Sequence, residues 1–265
     1  MRRSTQKRIV KVAMCQIFSL DGDRCGNFVR IENAIGQAKD SGAEIICFPE
    51  AVILGWVNPD AHERAYSIPG KDSERLCELA KDYQAFLCVG LAEKDDKNLF
   101  DSAVLIDDKG QILLKHRKIN ILTELMSPPY TVGKDVNAVE TKFGKIGLLI
   151  CADTHKDEIL NRVAGLEPDL LLVPYGYAAL ENEWPGHGKE LENVVTRTAK
   201  KTAAPVVGTN LIGEITKGPW KGRIYGGHSI AADKTGKIIS TAKDRDRDIN
   251  IVRINTGPES GSPLI

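Results

Sequence analysis

One order of segments occurs twice in this chain of 265 residues, and that duplication constrains the fold more than any single motif does. The apolar run Lys11-Val-Ala-Met-Cys-Gln-Ile17 predicts a buried strand. Turn residues at Asp21-Gly-Asp follow, then a helix for which Asn27 is the expected cap, with Phe28, Ile31, Ala34, Ile35 and Ala38 on one face. Glu44-Ile-Ile-Cys-Phe-Pro-Glu50 predicts a second strand that stops at a proline. A helix over 73–83, a strand at Ala85 to Gly90 and a hairpin through Asp107-Asp-Lys-Gly110 complete the first copy. The second copy keeps this order. Lys145-Ile-Gly-Leu-Leu-Ile150 echoes the first strand, and a helix over 158–165 precedes Asp169-Leu-Leu-Leu-Val-Pro174. A helix over 189–202 leads to Ala204-Pro-Val-Val-Gly208, and Ile230 to Ile238 repeats the hairpin.

Two such units imply two similar sheets, each with helices on one face and an apolar face left to cover. Sheet packed on sheet is the economical solution. The expected fold is therefore α/β, a four-layer α-β-β-α sandwich with an internal pseudo-twofold repeat. With no Pro/Gly/Ser-rich linker between the halves, the expected organisation is a basic tail over 1–10 and one domain over 11–265. The irregular segment from Thr256 onward is expected to reach toward a partner subunit.

Composition narrows the function. Thirty-six basic residues balance thirty-six acidic ones, so no overall field favours nucleic acid or a membrane surface, and a small ligand is expected. Six cysteines show neither CxxC nor metal-ligand spacing, and Cys15, Cys47 and Cys88 sit inside apolar runs as core residues do. That usage suits a reducing compartment. No apolar run approaches the ~20 residues of a membrane span. A cytoplasmic protein without metal or cofactor is the expectation.

The reactive residues stand at strand ends. The buried strand of the second copy runs into Cys151-Ala-Asp153, which places a thiol at the rim of a sheet. Glu50 ends the second strand of the first copy, and in a pseudo-twofold sandwich the two ends can converge. Lys118 closes the hairpin strand in Lys115-His-Arg-Lys118. A carboxylate can take the thiol proton, while an ammonium favours thiolate and stabilises an oxyanion.

Three blocks, Gly42-Ala-Glu-Ile-Ile-Cys-Phe-Pro-Glu50, His116-Arg-Lys118 and Gly147-Leu-Leu-Ile-Cys151-Ala-Asp153, resemble in content and order the signatures of the nitrilase superfamily of carbon-nitrogen hydrolases. The resemblance continues through Val206-Val-Gly-Thr-Asn210 and Gly227-His-Ser229. It implies that Glu50 is the general base, Lys118 the stabiliser of the tetrahedral species and Cys151 the nucleophile of an amidohydrolase working through a thioester. It also implies an orienting second glutamate, assigned here to Glu124, and an oxyanion-hole N–H at Ala152. A homodimer or larger homo-oligomer formed through the helical layer is implied as well. Trp56, Tyr130, Tyr175 and Tyr177 are pocket candidates by position, and Trp184 to His187 is expected to form a loop over the site. Cys-Ala stands where true nitrilases show Cys-Trp-Glu, so a small linear amide is expected before a nitrile: an aliphatic amide, an ω-amide or an N-carbamoyl compound. His155 stands where several relatives carry an arginine, which leaves Arg117, Arg197 and Arg223 as candidates for binding a substrate carboxylate. Competing expectations are a nitrilase or acyltransferase with the same three residues, a non-catalytic binding protein, and a metal-dependent phosphoesterase using Asp153, His155, His187, Asn210 and His228.

Overall fold

A computed structural model describes residues 8–257. Residues 1–7 of the expected tail and 258–265 of the expected C-terminal arm therefore lie outside the described residues, whereas Ile9 and Val10, expected in the tail, already begin the first strand. In chain order the first copy is β1 (Ile9–Gln16), α1 (Arg24–Asp40), β2 (Ile45–Cys47), the short α2 (Ala61–Arg64), α3 (Lys71–Asp82), β3 (Phe86–Asp95), β4 (Asn98–Ile106) and β5 (Ile112–Arg117). The second is β6 (Ala138–Thr141), β7 (Gly144–Leu148), α4 (Asp157–Ala164), β8 (Leu170–Tyr175), β9 (Ala178–Ala179), α5 (Gly186–Thr202) and β10 (Val206–Asn210). It ends with β11 (Ile212–Glu214), β12 (Ile224–Gly226), β13 (Ile230–Ala232), β14 (Ile238–Thr241) and β15 (Asp248–Asn255).

The duplication is visible in the sheets. One runs β15-β1-β2-β3-β4-β5, and the other, taken in the matching sense, runs β6-β7-β8-β10-β13-β14. In both, three central parallel strands carry antiparallel neighbours on either side. Strand alternation assigns each apolar run to two cores. Val12 and Met14 of β1, Cys47 of β2 and Cys88 of β3 pack with Leu148, Leu172 and Val207 of the other sheet. Their neighbours Ala13, Cys15, Ile46 and Leu87 pack under Ile31, Ile35, Leu76 and Leu79 of α1 and α3. Both faces of the central strands are thus dry, and each such Leu, Ile or Val contributes roughly 1.5–3 kcal/mol by burial. The result is the four-layer sandwich.

Two boundaries differ from the sequence expectation. Asp23, not Asn27, caps α1, its side chain accepting the Gly26 N–H. Asn27 lies inside the helix, where its amide bonds the Leu20 carbonyl and the Ile53 carbonyl at 2.8 and 3.0 Å, tying α1 to the segment after β2. The helix expected from 189 begins at Gly186, so the presumed loop at Trp184–His187 is half helix. Trp184 is itself buried, with its Nε1 donating to the Ile224 carbonyl of β12 at 3.2 Å.

Candidate active site

The site forms where β2, β5 and β7 end. β2 stops at Cys47, Phe48-Pro49 continues alongside β3, and the Glu50 N–H then bonds the Tyr175 carbonyl of the other sheet at 3.2 Å. Tyr175 ends β8, the pseudo-twofold counterpart of β2, so the two strand ends hold one another. Two glycines make room for Glu50. A Cβ on Gly90 would lie 2.6 Å from the Glu50 Cα, and one on Gly176 would lie 2.8 Å from Glu50 Oε2. Glu50 is fully buried.

Lys118 follows β5. Its N–H bonds the Asp101 carbonyl at 2.8 Å, extending the ladder with β4 by one step. Its Nζ donates to Glu50 Oε1 and, at 3.3 Å, to Asp101 Oδ2, and lies 5.4 Å from the Trp56 ring. Burial opposes the charge of Lys118, but the carboxylates of Glu50 and Asp101 outweigh it and hold the pKa well above the ordinary lysine value.

Cys151 opens a 3₁₀ turn over Cys151–His155 directly after β7, with φ of +37°. A non-glycine residue in this region stores roughly 1–3 kcal/mol of strain and persists only where its surroundings hold it. Here Asp153 supplies the hold. Its Oδ1 accepts the N–H groups of Ile119 and Asn120 at 2.9 and 2.8 Å, and its Oδ2 accepts the Ile150 N–H at 3.1 Å. His116 Nε2 completes the clamp at 2.8 Å from Asp153 Oδ2. One carboxylate thereby locks the segment after Lys118 to the turn that carries Cys151. Burial opposes ionisation of Asp153, but the His116 contact and these N–H groups outweigh it and keep its pKa below the ordinary aspartate value. The Cys151 thiol lies within reach of the Glu50 carboxylate and the Gly176 N–H. Burial, then the Glu50 charge, push its pKa well above the ordinary cysteine value against the pull of Lys118, so the resting group is a thiol.

The structure brings Glu50, Lys118 and Cys151 into one buried cluster. Ala152 follows Cys151 in the turn, and the first N–H groups of a helical turn have no partner within it. The Ala152 carbonyl is fixed by Asn120 Nδ2 at 2.7 Å. Trp56 is buried beneath the Lys118 ammonium and meets Trp220 edge to face, with ring centroids 5.4 Å apart. Tyr130 is buried, and its hydroxyl pKa is raised by burial and by the nearby Asp101 and Glu50 charges.

Three candidates do not present the expected side chain to the cluster. Glu124 is exposed in a 3₁₀ turn over Thr123–Leu125, and the carboxyl group beside Lys118 and Glu50 is instead Asp101. Tyr175 is buried with its hydroxyl on Thr154 Oγ1 at 3.2 Å, so its backbone carbonyl, not its ring, serves Glu50. His155 is exposed, stacked on Tyr177 with centroids 6.3 Å apart, and Tyr177 in turn stacks on His187 at 4.1 Å. Two arginines considered for a substrate carboxylate are engaged already: Arg117 with Glu93 and Asp95, and Arg197 with Asp157. The residues of the phosphoesterase alternative are dispersed. Asp153 pairs with His116, His228 with Glu192 and His187 with Glu190, while Asn210 bonds the Gly227 carbonyl.

No sequence pattern singles out Asp101 or His116 as a site residue. A carboxylate within the apolar strand Leu99 to Ile106 was the available signal, because a buried charge needs a partner. His116 was hidden in a basic run that only strand alternation divides.

A four-layer duplicated sandwich with a carboxylate, an ammonium and a strained cysteine converging from three strand ends defines a class of hydrolase scaffold. The carbon-nitrogen hydrolase family profile matches residues 11–257, and the chain belongs to this family within the nitrilase superfamily. It is 26% identical to a nitrilase of Pyrococcus abyssi, over 93% of this chain and 90% of that one. It is 25% identical to the mouse omega-amidase NIT2, over 86% of this chain and 81% of that one. Alignments with bifunctional plant nitrilase/nitrile hydratases span only 46–47% of those enzymes. Among solved structures, an amidase variant from Nesterenkonia sp. AN1 superposes with a TM-score of 0.79 at 20% identity, covering 93% of this chain and 90% of that one. In that structure the acetamide moiety of fluoroacetamide is attached to the active-site cysteine.

Proposed function

We propose that this carbon-nitrogen hydrolase cleaves a small linear amide to acid and ammonia or amine, with Cys151 as nucleophile, Glu50 as general base and acid, and Lys118 as oxyanion stabiliser. The observation that carries this reading is the buried convergence of the three groups at a turn where Cys151 holds a positive φ. Cys151 Sγ attacks the amide carbon while Glu50 takes the thiol proton. The charge that develops on oxygen is met by Lys118 Nζ and the Ala152 N–H. Glu50 then gives its proton to the departing nitrogen, the C–N bond breaks, and a thioester remains. Water attacks the thioester and gives a proton to Glu50. As the C–S bond breaks, the thiolate recovers that proton and the acid leaves. Trp56 and Tyr130 wall the reacting centre. A depression of about 510 Å³ lined by Ala178, His187, Trp220 and Arg223 is the candidate seat for the non-reacting end of the substrate, because its Trp220 packs on Trp56.

Amides rank ahead of nitriles in this reading because Ala152 follows Cys151. Acyl transfer shares the thioester and differs only in the acceptor. The reading includes cytoplasmic residence and a homo-oligomer assembled through the helical layer, whose mass light scattering in solution checks. The deciding test is ammonia release from short aliphatic amides, ω-amides, N-carbamoyl compounds and nitriles, with Cys151→Ala as control. Turnover of an amide class that vanishes in the control supports the proposal. Turnover retained by Cys151→Ala at the wild-type rate rejects the thioester route.

A further inference from the structure

The cluster around Lys118 holds one acid more than the proposed chemistry uses. Asp101 lies within β4, and alternation along that strand sends its side chain to the site while Ser102 turns to Glu93. The Asp101 and Glu50 side chains are both 0% exposed and that of Lys118 is 3% exposed. Lys118 Nζ bonds both carboxyl groups, and lies nearer Glu50 than Asp101, which is 3.3 Å away. Ionised together, the two acids would leave a net negative charge in a dry pocket beside a neutral thiol. Each would also leave an oxygen buried and unpartnered, namely Glu50 Oε2 and Asp101 Oδ1. The two carboxyl groups lie within hydrogen-bonding reach of one another, yet two carboxylates offer no donor between them. One retained proton supplies that donor and removes the excess charge, as in other carboxyl pairs that cannot both ionise. The ammonium field falls with distance, so the nearer Glu50 keeps the charge and the farther Asp101 keeps the proton.

We propose that Asp101 is a positioning residue of this site, a neutral carboxylic acid that accepts from Lys118 and donates to Glu50, so that the resting cluster is carboxylate, ammonium, acid and thiol with no net charge. The inference rests on the roles proposed above for Glu50, Lys118 and Cys151. The groups facing Asp101 are Glu50, Lys118 and the Tyr130 hydroxyl. Burial and the Glu50 charge both push its pKa up, and Lys118 offsets only part of this. The Asp101 proton stays in place through the cycle while Glu50 exchanges its own with sulfur, nitrogen and water. The hydrogen bond from Asp101 fixes the Glu50 carboxylate toward Cys151 and keeps Lys118 from being held by two full negative charges.

Two measurements test this without requiring turnover. Infrared spectra of the wild-type protein at neutral pH should contain the carbonyl stretch of a protonated carboxyl group, and the difference spectrum against Asp101→Asn should show that band lost. Absence of the band, or a difference spectrum that loses carboxylate bands instead, overturns the proposal. The second readout is the rate of Cys151 alkylation by fluoroacetamide, followed by intact mass on variants whose melting curves show them folded. Asp101→Ala removes both hydrogen bonds and should slow alkylation by about tenfold. Asp101→Asn keeps an acceptor for Lys118 and a donor for Glu50, and should restore the rate to within about threefold of wild type. An Asn variant as slow as the Ala variant would sink the idea, because a charged Asp101 has no neutral mimic. A negative ammonia screen accompanied by these expected results would reject the amidase reading and leave the proton assignment standing.

Discussion

Two buried acidic centres lie on opposite faces of the same hairpin, and they invert each other's stoichiometry. The run Lys115-His-Arg-Lys118 feeds both, because alternate residues of β5 point to opposite sides of the sheet. Lys115 and Arg117 reach Glu93, which accepts from Lys115 Nζ at 2.6 Å, Arg117 Nε at 2.9 Å, Arg117 Nη2 at 2.6 Å and Ser102 Oγ at 2.6 Å. There, two cations and a hydroxyl saturate one carboxylate. On the other side His116 serves Asp153, and Lys118 must serve both Glu50 and Asp101. The first centre is fully satisfied and can do little but hold β3, β4 and β5 together. The second makes two acids share one ammonium beside a thiol, a costly arrangement that persists in proteins chiefly where chemistry needs it.

The sharpest way to break this contrast is to neutralise one acid on each side. Glu50→Gln should reduce turnover of the amide found by the screen about a thousandfold or more, while leaving the melting temperature nearly unchanged, because Asp101 can give up its proton and replace Glu50 as the counter-ion of Lys118. A drop in melting temperature comparable to the Glu93 effect would show that the two centres are not different in kind. Glu93→Ala should do the reverse, costing about 2–3 kcal/mol in denaturant unfolding. The Glu93 side chain is 1% exposed, but its partners Lys115 and Arg117 are 31% and 26% exposed, so water recovers part of the loss. Activity per folded molecule should survive.

The same centre predicts an acid dependence. Burial opposes ionisation of Glu93, yet the hydrogen bonds from Arg117, Lys115 and Ser102 outweigh it and lower the pKa. A lowered folded-state pKa contributes stability that is fully present above the unfolded value, about 4.3, and is lost as pH falls through the folded one. Denaturation midpoints should therefore decline on acidification below that value, and decline less steeply in Glu93→Gln. The smallest effect is expected at Glu124, exposed on its 3₁₀ turn. Glu124→Ala should leave kcat within about twofold of wild type, and a loss beyond about tenfold would return that residue to the site.

Much of this protein could be read from period and order. The strands of both copies, the two-sheet architecture and the convergence of Glu50 with the Cys151 strand end followed from apolar runs repeating in one order. Such runs determine which faces must be buried, and hence how layers stack. Glu50, Lys118 and Cys151 were legible because each ends a predicted strand. Glu124, assigned by counting along a loop where linear spacing does not fix direction, is exposed, and the second acid beside Lys118 is Asp101. Asp101 went unseen for a related reason: from within β4, nothing local states which face of the strand meets a partner. The residue pattern thus carries the duplicated sandwich and the placing of Glu50, Lys118 and Cys151 at strand ends. Tertiary packing alone sets which acid shares Lys118, how Asp153 binds the Lys118 segment to the strained cysteine, and which half of the basic run is structural. Those outcomes depend on side chains far apart in the chain meeting across two sheets, and contact of that kind is fixed by packing rather than by any local pattern.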